Sequence, residues 1–250
     1  MVKRESIGLQ LYSVRAELAQ DFDGTMRRIG AMGYMAVETF RFQEVTAKQA
    51  KALFDTLNLT VAGAHLPLPL GDMKNDVLDT MGTFGSKYLI CAHLSANEYF
   101  QNVDGVKRAC DMLNEANVIA RENGLMLLYH NHWWEAAILD GKPAYQHMAE
   151  MLDSSVGFEI DTYWMQTGGA NPVDVISYLG SRAPFLHIKD GPANAPEAAM
   201  VAVGEGVMDI GAIFAASHAD WNIVELDRCD TDMMEAVEKS YQYLMEKHVS

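Results

Sequence analysis

Basic residues are scarce in this chain. Among 250 residues, 19 lysines and arginines stand against 34 aspartates and glutamates, a formal charge of -15. Nucleic-acid binders carry a basic footprint, so nucleic acid is a poor partner, and anionic membrane surfaces are disfavoured by the same repulsion. Cysteine is nearly absent as well. Cys91, Cys110 and Cys229 lie far apart without a CxxC pair, which argues against a zinc knuckle or a disulfide framework and for reduced thiols in a cytosolic protein. No apolar run approaches membrane-spanning length. The N-terminal stretch MVKRESIGLQLYSV is interrupted at Gln10 and forms no signal-peptide core. The expectation is a soluble, cytoplasmic protein. Linkers are missing too: no proline-rich, glycine-serine-rich or single-charge run divides the sequence, so one domain over residues 1–250 suffices. Finally, the first strand-to-helix turn, LQLYSVRAEL, lacks the glycine fingerprint of a dinucleotide site.

What is present is alternation. With 49% hydrophobic residues the chain can bury a large core. Eight short apolar segments read as strands: Ile7 to Tyr12, Met35 to Phe40, Thr60 to His65, Tyr88 to Ala92, Leu125 to His132, Val156 to Asp161, Phe185 to Lys189 and Trp221 to Leu226. Helical patterns such as Asp23 to Met32, Ala47 to Leu57, Val103 to Asn123, Pro172 to Leu179 and Asp232 to Glu246 fall between them, with Gly33, Gly124 and Gly180 at stop positions. Strand followed by helix, repeated, implies parallel pairing and a (β/α)8 TIM barrel. The long patternless connection Asp190 to Val207 is placed to cover a site.

Potential metal ligands end four of these strands, in YHNH (Tyr129 to His132), EIDTYW (Glu159 to Trp164), HIKDG (His187 to Gly191) and VELD (Val224 to Asp227). Residues two apart on a strand share a face, which pairs His130 with His132, Glu159 with Asp161, His187 with Lys189 and Glu225 with Asp227. Asp161 and His187 each end an apolar strand, where an ionisable group is costly without a partner. With Glu225 they make a mixed oxygen and nitrogen set suited to Mn2+, Mg2+, Co2+ or Zn2+, Mn2+ being preferred. The fourth ligand is His130 or His132, with Asn131 turned outward. We favour one of the two on the metal and the other in acid/base work. Lys189 is placed to hold an oxyanion or carry a proton. Tyr12, Glu38, His65, Trp134 and Trp164 are expected around the substrate, with Gln10 and Glu135 as further polar candidates and Trp133 beside them.

The ordered set GLQLYSVR, VE, GAH, YHNH, EIDTYW, HIKD, VGEG and VELD resembles the sugar phosphate isomerase/epimerase group of the xylose-isomerase-like TIM barrels, over essentially the whole chain. The resemblance implies a metal held by an acidic residue of strand five and by Asp161, His187 and Glu225 of strands six to eight. Three departures stand out. His130 occupies the place of the strand-five glutamate, Trp164 replaces a substrate-contacting histidine, and Ala193 and Asn194 lie where a basic residue is expected. Phosphate is therefore not a required part of the substrate.

These features lead to a divalent-metal-dependent isomerase or epimerase acting on a keto-sugar or related polyol through an enediolate, with Glu225 as base and His132 or Lys189 opposite it. A lyase or dehydratase acting on a keto-inositol or 3-keto-glycoside is the alternative, and a non-catalytic sugar-binding barrel the third. The partner is a small carbohydrate, with homo-oligomerisation left open.

Overall fold

A computed structural model of the chain describes residues 2–43 and 45–249. Eight strands close into one barrel: β1 (Ile7–Gln10), β2 (Ala36–Thr39), β3 (Thr60–His65), β4 (Tyr88–Cys91), β5 (Met126–His130), β6 (Gly157–Asp161), β7 (Phe185–Ile188) and β8 (Trp221–Val224). Each pairs in parallel with its sequence neighbours, and β8 returns to β1. Every expected strand is found. Most end one or two residues sooner than their apolar run, because the chain bends into 3-10 turns or loops at the mouth. Tyr12 accordingly lies in the turn Leu11–Val14, and Lys189 and Glu225 just follow their strands.

The five expected helices are present with ends shifted by at most one residue, and Gly33, Gly124 and Gly180 carry the positive φ of a helix stop. Three further helices, Lys74–Phe84, Ala144–Met151 and Ile210–Ala216, complete crossovers whose patterns are less regular.

Alternation along each strand separates two cores. Outward residues such as Leu9, Val37, Leu89, Leu127, Phe158, Ile160, Leu186 and Val224 pack against the helices. Inward residues at the N-terminal end, Ala36, Ala62, Ile90, Leu128, Phe185 and Ile223, form a separate plug. The plug is tight: a Cβ on Gly63 would lie 2.5 Å from Ile90 and 3.3 Å from Phe185, so glycine is what lets these larger side chains meet. One inward step toward the C-terminal end, the side chains become Gln10, Glu38, His130, Glu159, His187 and Glu225, all buried. The polar layer thus rests on a dry floor.

The loop after β7 is organised by Asp190. Its buried carboxylate accepts hydrogen bonds from the backbone N–H of Gly191 at 2.8 Å, Gly204 at 2.9 Å and Met208 at 3.1 Å. Val201 N donates to Asp190 O, so this connection is an ordered loop, and none of its residues lines the cavity described below. The three cysteines are unpaired, and among the described residues no helix is long and apolar enough to cross a membrane.

Candidate metal centre at the barrel mouth

Register brings the expected ligands together. Asp161 of β6 sits opposite His187 of β7, and His130 of β5 opposite Glu159 of β6. His130, Asp161, His187 and Glu225 each offer a donor atom within 4.8 Å of the others, and all four are buried. Asp161 is aimed by its own helix: Oδ1 caps Thr162–Thr167 by accepting from Trp164 N at 2.8 Å. Its Oδ2 is left facing Lys189 Nζ at 2.9 Å and His130 Nε2 at 3.8 Å. His187 Nδ1 meets Glu225 Oε2 at 2.7 Å.

Two imidazoles and two carboxylates suit a divalent ion of borderline hardness. Buried polar atoms normally find partners, yet Glu159 Oε1 and Glu38 Oε2 lack any hydrogen bond and Asp161 Oδ2 has only its ion pair with Lys189, an arrangement that an added cation would relieve. The donors therefore fit a metal. Lys189 is the cation already there. Its buried ammonium also lies 2.7 Å from Glu225 Oε2, pairs with Asp227, and stands 5.1 Å from the ring centroid of Trp164.

Beneath this group lies a deeper one that adds His65 and Glu159 to His130 and His187. Glu38 and Glu159 converge on the same His65 Nε2. Burial penalises the charge on His65, but these two carboxylates outweigh it and push the imidazole up to about 10. Burial likewise opposes ionisation of Glu38 and Glu225. Their cationic neighbours prevail, and both are held below the usual carboxylate range. For Asp161 burial wins, raising it to about 6 despite Lys189.

The YHNH segment is stiffened from both sides. Asn131 is buried: Oδ1 accepts from Asp161 N at 2.9 Å and Nδ2 donates to Asp161 O at 3.2 Å, clamping β5 to β6. Glu135 accepts from His132 N at 2.8 Å and from the Tyr129 hydroxyl. His132 lies flat on Trp134, with ring centroids 4.4 Å apart and planes within 4°. Burial, with Lys189 and His93 nearby, pushes His132 down to about 3. His132 is therefore a neutral imidazole at neutral pH, packed against the aromatic wall.

A cavity of about 420 Å³ opens over the centre, lined by Tyr12, Phe40, Arg41, His65, Ala92, His93, His130, His132, Glu225 and Asp227. Tyr12, His65 and His132 thus reach it directly. Glu38 is sealed below, Trp134 backs His132, and Trp164, only 2% exposed, backs Lys189. A second hollow of about 460 Å³ lies at the opposite end beside Tyr88, Asp220 and Trp221. The ligand groups are at the other end. Sequence reasoning left two neighbours unassigned: Glu159, although its strand period gave it the face of Asp161, and His93, which follows the one strand without a motif.

The family model described as Xylose isomerase-like TIM barrel matches residues 26–226, and the chain belongs to that family. It is 21% identical to the inosose dehydratase of Clostridium beijerinckii (strain ATCC 51743 / NCIMB 8052) over 265 residues, spanning 87% of this chain and 88% of that protein. A sugar phosphate isomerase/epimerase from Parabacteroides distasonis ATCC 8503 superposes with a TM-score of 0.83 at 24% identity, covering 99% of this chain and 96% of the other. IOLI protein with a binding zinc atom gives a TM-score of 0.76 at 17% identity, with 96% and 97% covered. At these identities the solved structures speak for the fold.

Proposed function

We propose that this protein is a divalent-metal-dependent enzyme that moves a proton beside the carbonyl of a keto-sugar or related polyol, as an isomerase or epimerase. The carrying observation is the convergence of His130, Asp161, His187 and Glu225 under an open cavity at the C-terminal mouth. A divalent ion, Mn2+ by preference, would be held by these four residues and would supply Lewis-acid polarisation of the carbonyl, acidifying the adjacent C–H. The zinc atom of the IOLI relative supports a metal in this fold, without choosing which metal.

The remaining work falls to the chain itself. Glu225 lines the cavity and is ionised at neutral pH, so it can take the proton that leaves carbon. Lys189, raised well above its ordinary range because three carboxylates outweigh its burial, stays an ammonium and steadies negative charge developing on oxygen. His132, neutral on the opposite lining, can return or accept a proton. Tyr12 and His65 offer polar contacts to hydroxyls, and Trp134 keeps the His132 ring in place.

A lyase reading is favoured by one feature. Glu225 and His132 both face the cavity unprotonated, and a single base that removes a proton can hand it to an oxygen leaving from the same face. The relationship to an inosose dehydratase accords with this. Incubating metal-loaded protein with keto-sugars and keto-inositols in deuterated water tests both readings. Exchange at the carbon beside the carbonyl with retention of all oxygens supports the isomerase, and loss of water or a glycosyl oxygen supports the lyase. Binding without exchange or conversion overturns both in favour of a sugar-binding barrel.

A further inference from the structure

A single oxygen of Glu159 receives three imidazoles. Oε2 lies 2.7 Å from His65 Nε2, 2.9 Å from His130 Nδ1 and 3.2 Å from His187 Nε2. Glu38 stands beside it, with Oε1 2.8 Å from His65 Nε2 and 3.0 Å from His187 Nε2, and it also accepts from the Gln10 amide. The use of the ring nitrogens is what matters. In His130, Nδ1 turns to Glu159 while Nε2 faces Asp161 at 3.8 Å, beyond hydrogen-bond reach. In His187 the ends are reversed: Nε2 meets Glu38 and Glu159, and Nδ1 faces Glu225. A neutral imidazole carries one N–H and one lone pair, and an ionised carboxylate only accepts. His130 therefore spends its N–H on the carboxylate floor and presents its lone pair toward Asp161, whereas His187 faces carboxylate oxygens through both nitrogens and frees Nδ1 for a metal only by giving up the hydrogen it shares with Glu225.

We infer that Glu159, assisted by Glu38 and His65, is a positioning residue that selects the histidine tautomers of the metal centre, leaving Nε2 of His130 and Nδ1 of His187 as ligand atoms. This rests on the metal reading above and deepens it. The rival arrangement is a second ion in the deeper donor group. His65 argues against it, because its Nε2 already bridges both floor carboxylates and has donated the hydrogen that would have to leave before it could ligate. Carboxylates that orient ligating histidines typically matter by about 10-fold to 100-fold in metal affinity.

Two measurements test the inference. Long-range 1H–15N correlation of histidine-labelled, metal-free wild-type protein should show His130 protonated on Nδ1, and the zinc-loaded form should keep the His187 proton on Nε2. A proton on Nε2 of His130 overturns the inference, whether or not metal binds. Titration of wild-type and Glu159→Gln protein with Mn2+ and with Zn2+ should give one ion per chain and a dissociation constant about 10-fold to 100-fold weaker in the variant. An unchanged constant, or two ions per wild-type chain, overturns it. If the variant does not fold, the wild-type spectra still decide. A wild-type protein that binds no divalent ion removes the metal from the proposed function, while the His130 spectrum is judged separately.

Discussion

Lys189 Nζ lies 2.7 Å from Glu225 Oε2, with the lysine fully removed from solvent. The same ammonium is shared with Asp161 and Asp227, so it is the internal counter-charge of the mouth. Removing one partner of a buried ion pair leaves uncompensated charge, at a cost of about 3–5 kcal/mol. Lys189→Met should therefore lower unfolding stability by about that amount in chelator-treated protein, measured by urea denaturation. A divalent ion should recover part of the loss by replacing the charge. A Lys189→Met protein as stable as wild type without metal would show that the three carboxylates do not depend on the ammonium.

His187→Ala should abolish stoichiometric metal binding. His187 is fully buried and is shared by the upper and deeper donor groups, so its loss removes a ligand from both. Elemental analysis after chelation and reloading reads the result. Unchanged stoichiometry would remove His187 from the ligand set.

Glu225→Gln keeps the shape of the side chain while removing its capacity to accept a proton. Deuterium exchange into a keto-sugar should fall by about 100-fold to 10,000-fold in the metal-loaded variant. Full exchange would shift the base role to His132, the other unprotonated group on the cavity.

Glu135 should make the protein less stable as pH rises. Burial pushes its carboxyl up to about 7, against the hydrogen bonds from Tyr129 and His132, so the folded chain keeps a proton that the unfolded chain releases. Its contribution is unaffected below the unfolded value near 4.5, falls as pH climbs from there, and levels off above about 7. The total is on the order of 3 kcal/mol. Comparing denaturation midpoints of wild type and Glu135→Gln between those limits checks it. The variant should lose this part of the slope, and parallel curves would refute it.

Asp190→Ala should loosen the loop from Asp190 to Val207. Three backbone donors lose their acceptor, and the two buried ones, Gly191 and Met208, cost about 1–3 kcal/mol each. Hydrogen exchange at Gly204 and Met208 should accelerate while the amides of β5 and β6 remain protected.

Much of this was legible along the chain. Period-two alternation placed His187 with Lys189 and Glu225 with Asp227, and the closed structure keeps each pair on the inner face, because side-chain direction is a local property of an extended backbone. Strand followed by helix is similarly local, which is why the eight strands of the barrel could be counted before they were seen. Contacts across the barrel follow other rules. Glu38, His65 and Glu159 come from β2, β3 and β6, and they meet only because closure and stagger put them at one height. The clamp made by Asn131 depends on the neighbouring strand's backbone at Asp161. The neutrality of His132 depends on burial and, after it, on charge repulsion from Lys189 and His93, which the fold brings from elsewhere in the chain. The sequence by itself determined which residues share a strand face and which segments form strands. Tertiary structure alone decided which faces meet and which groups hold their protons, since register and desolvation are sums over neighbours that no stretch of chain contains.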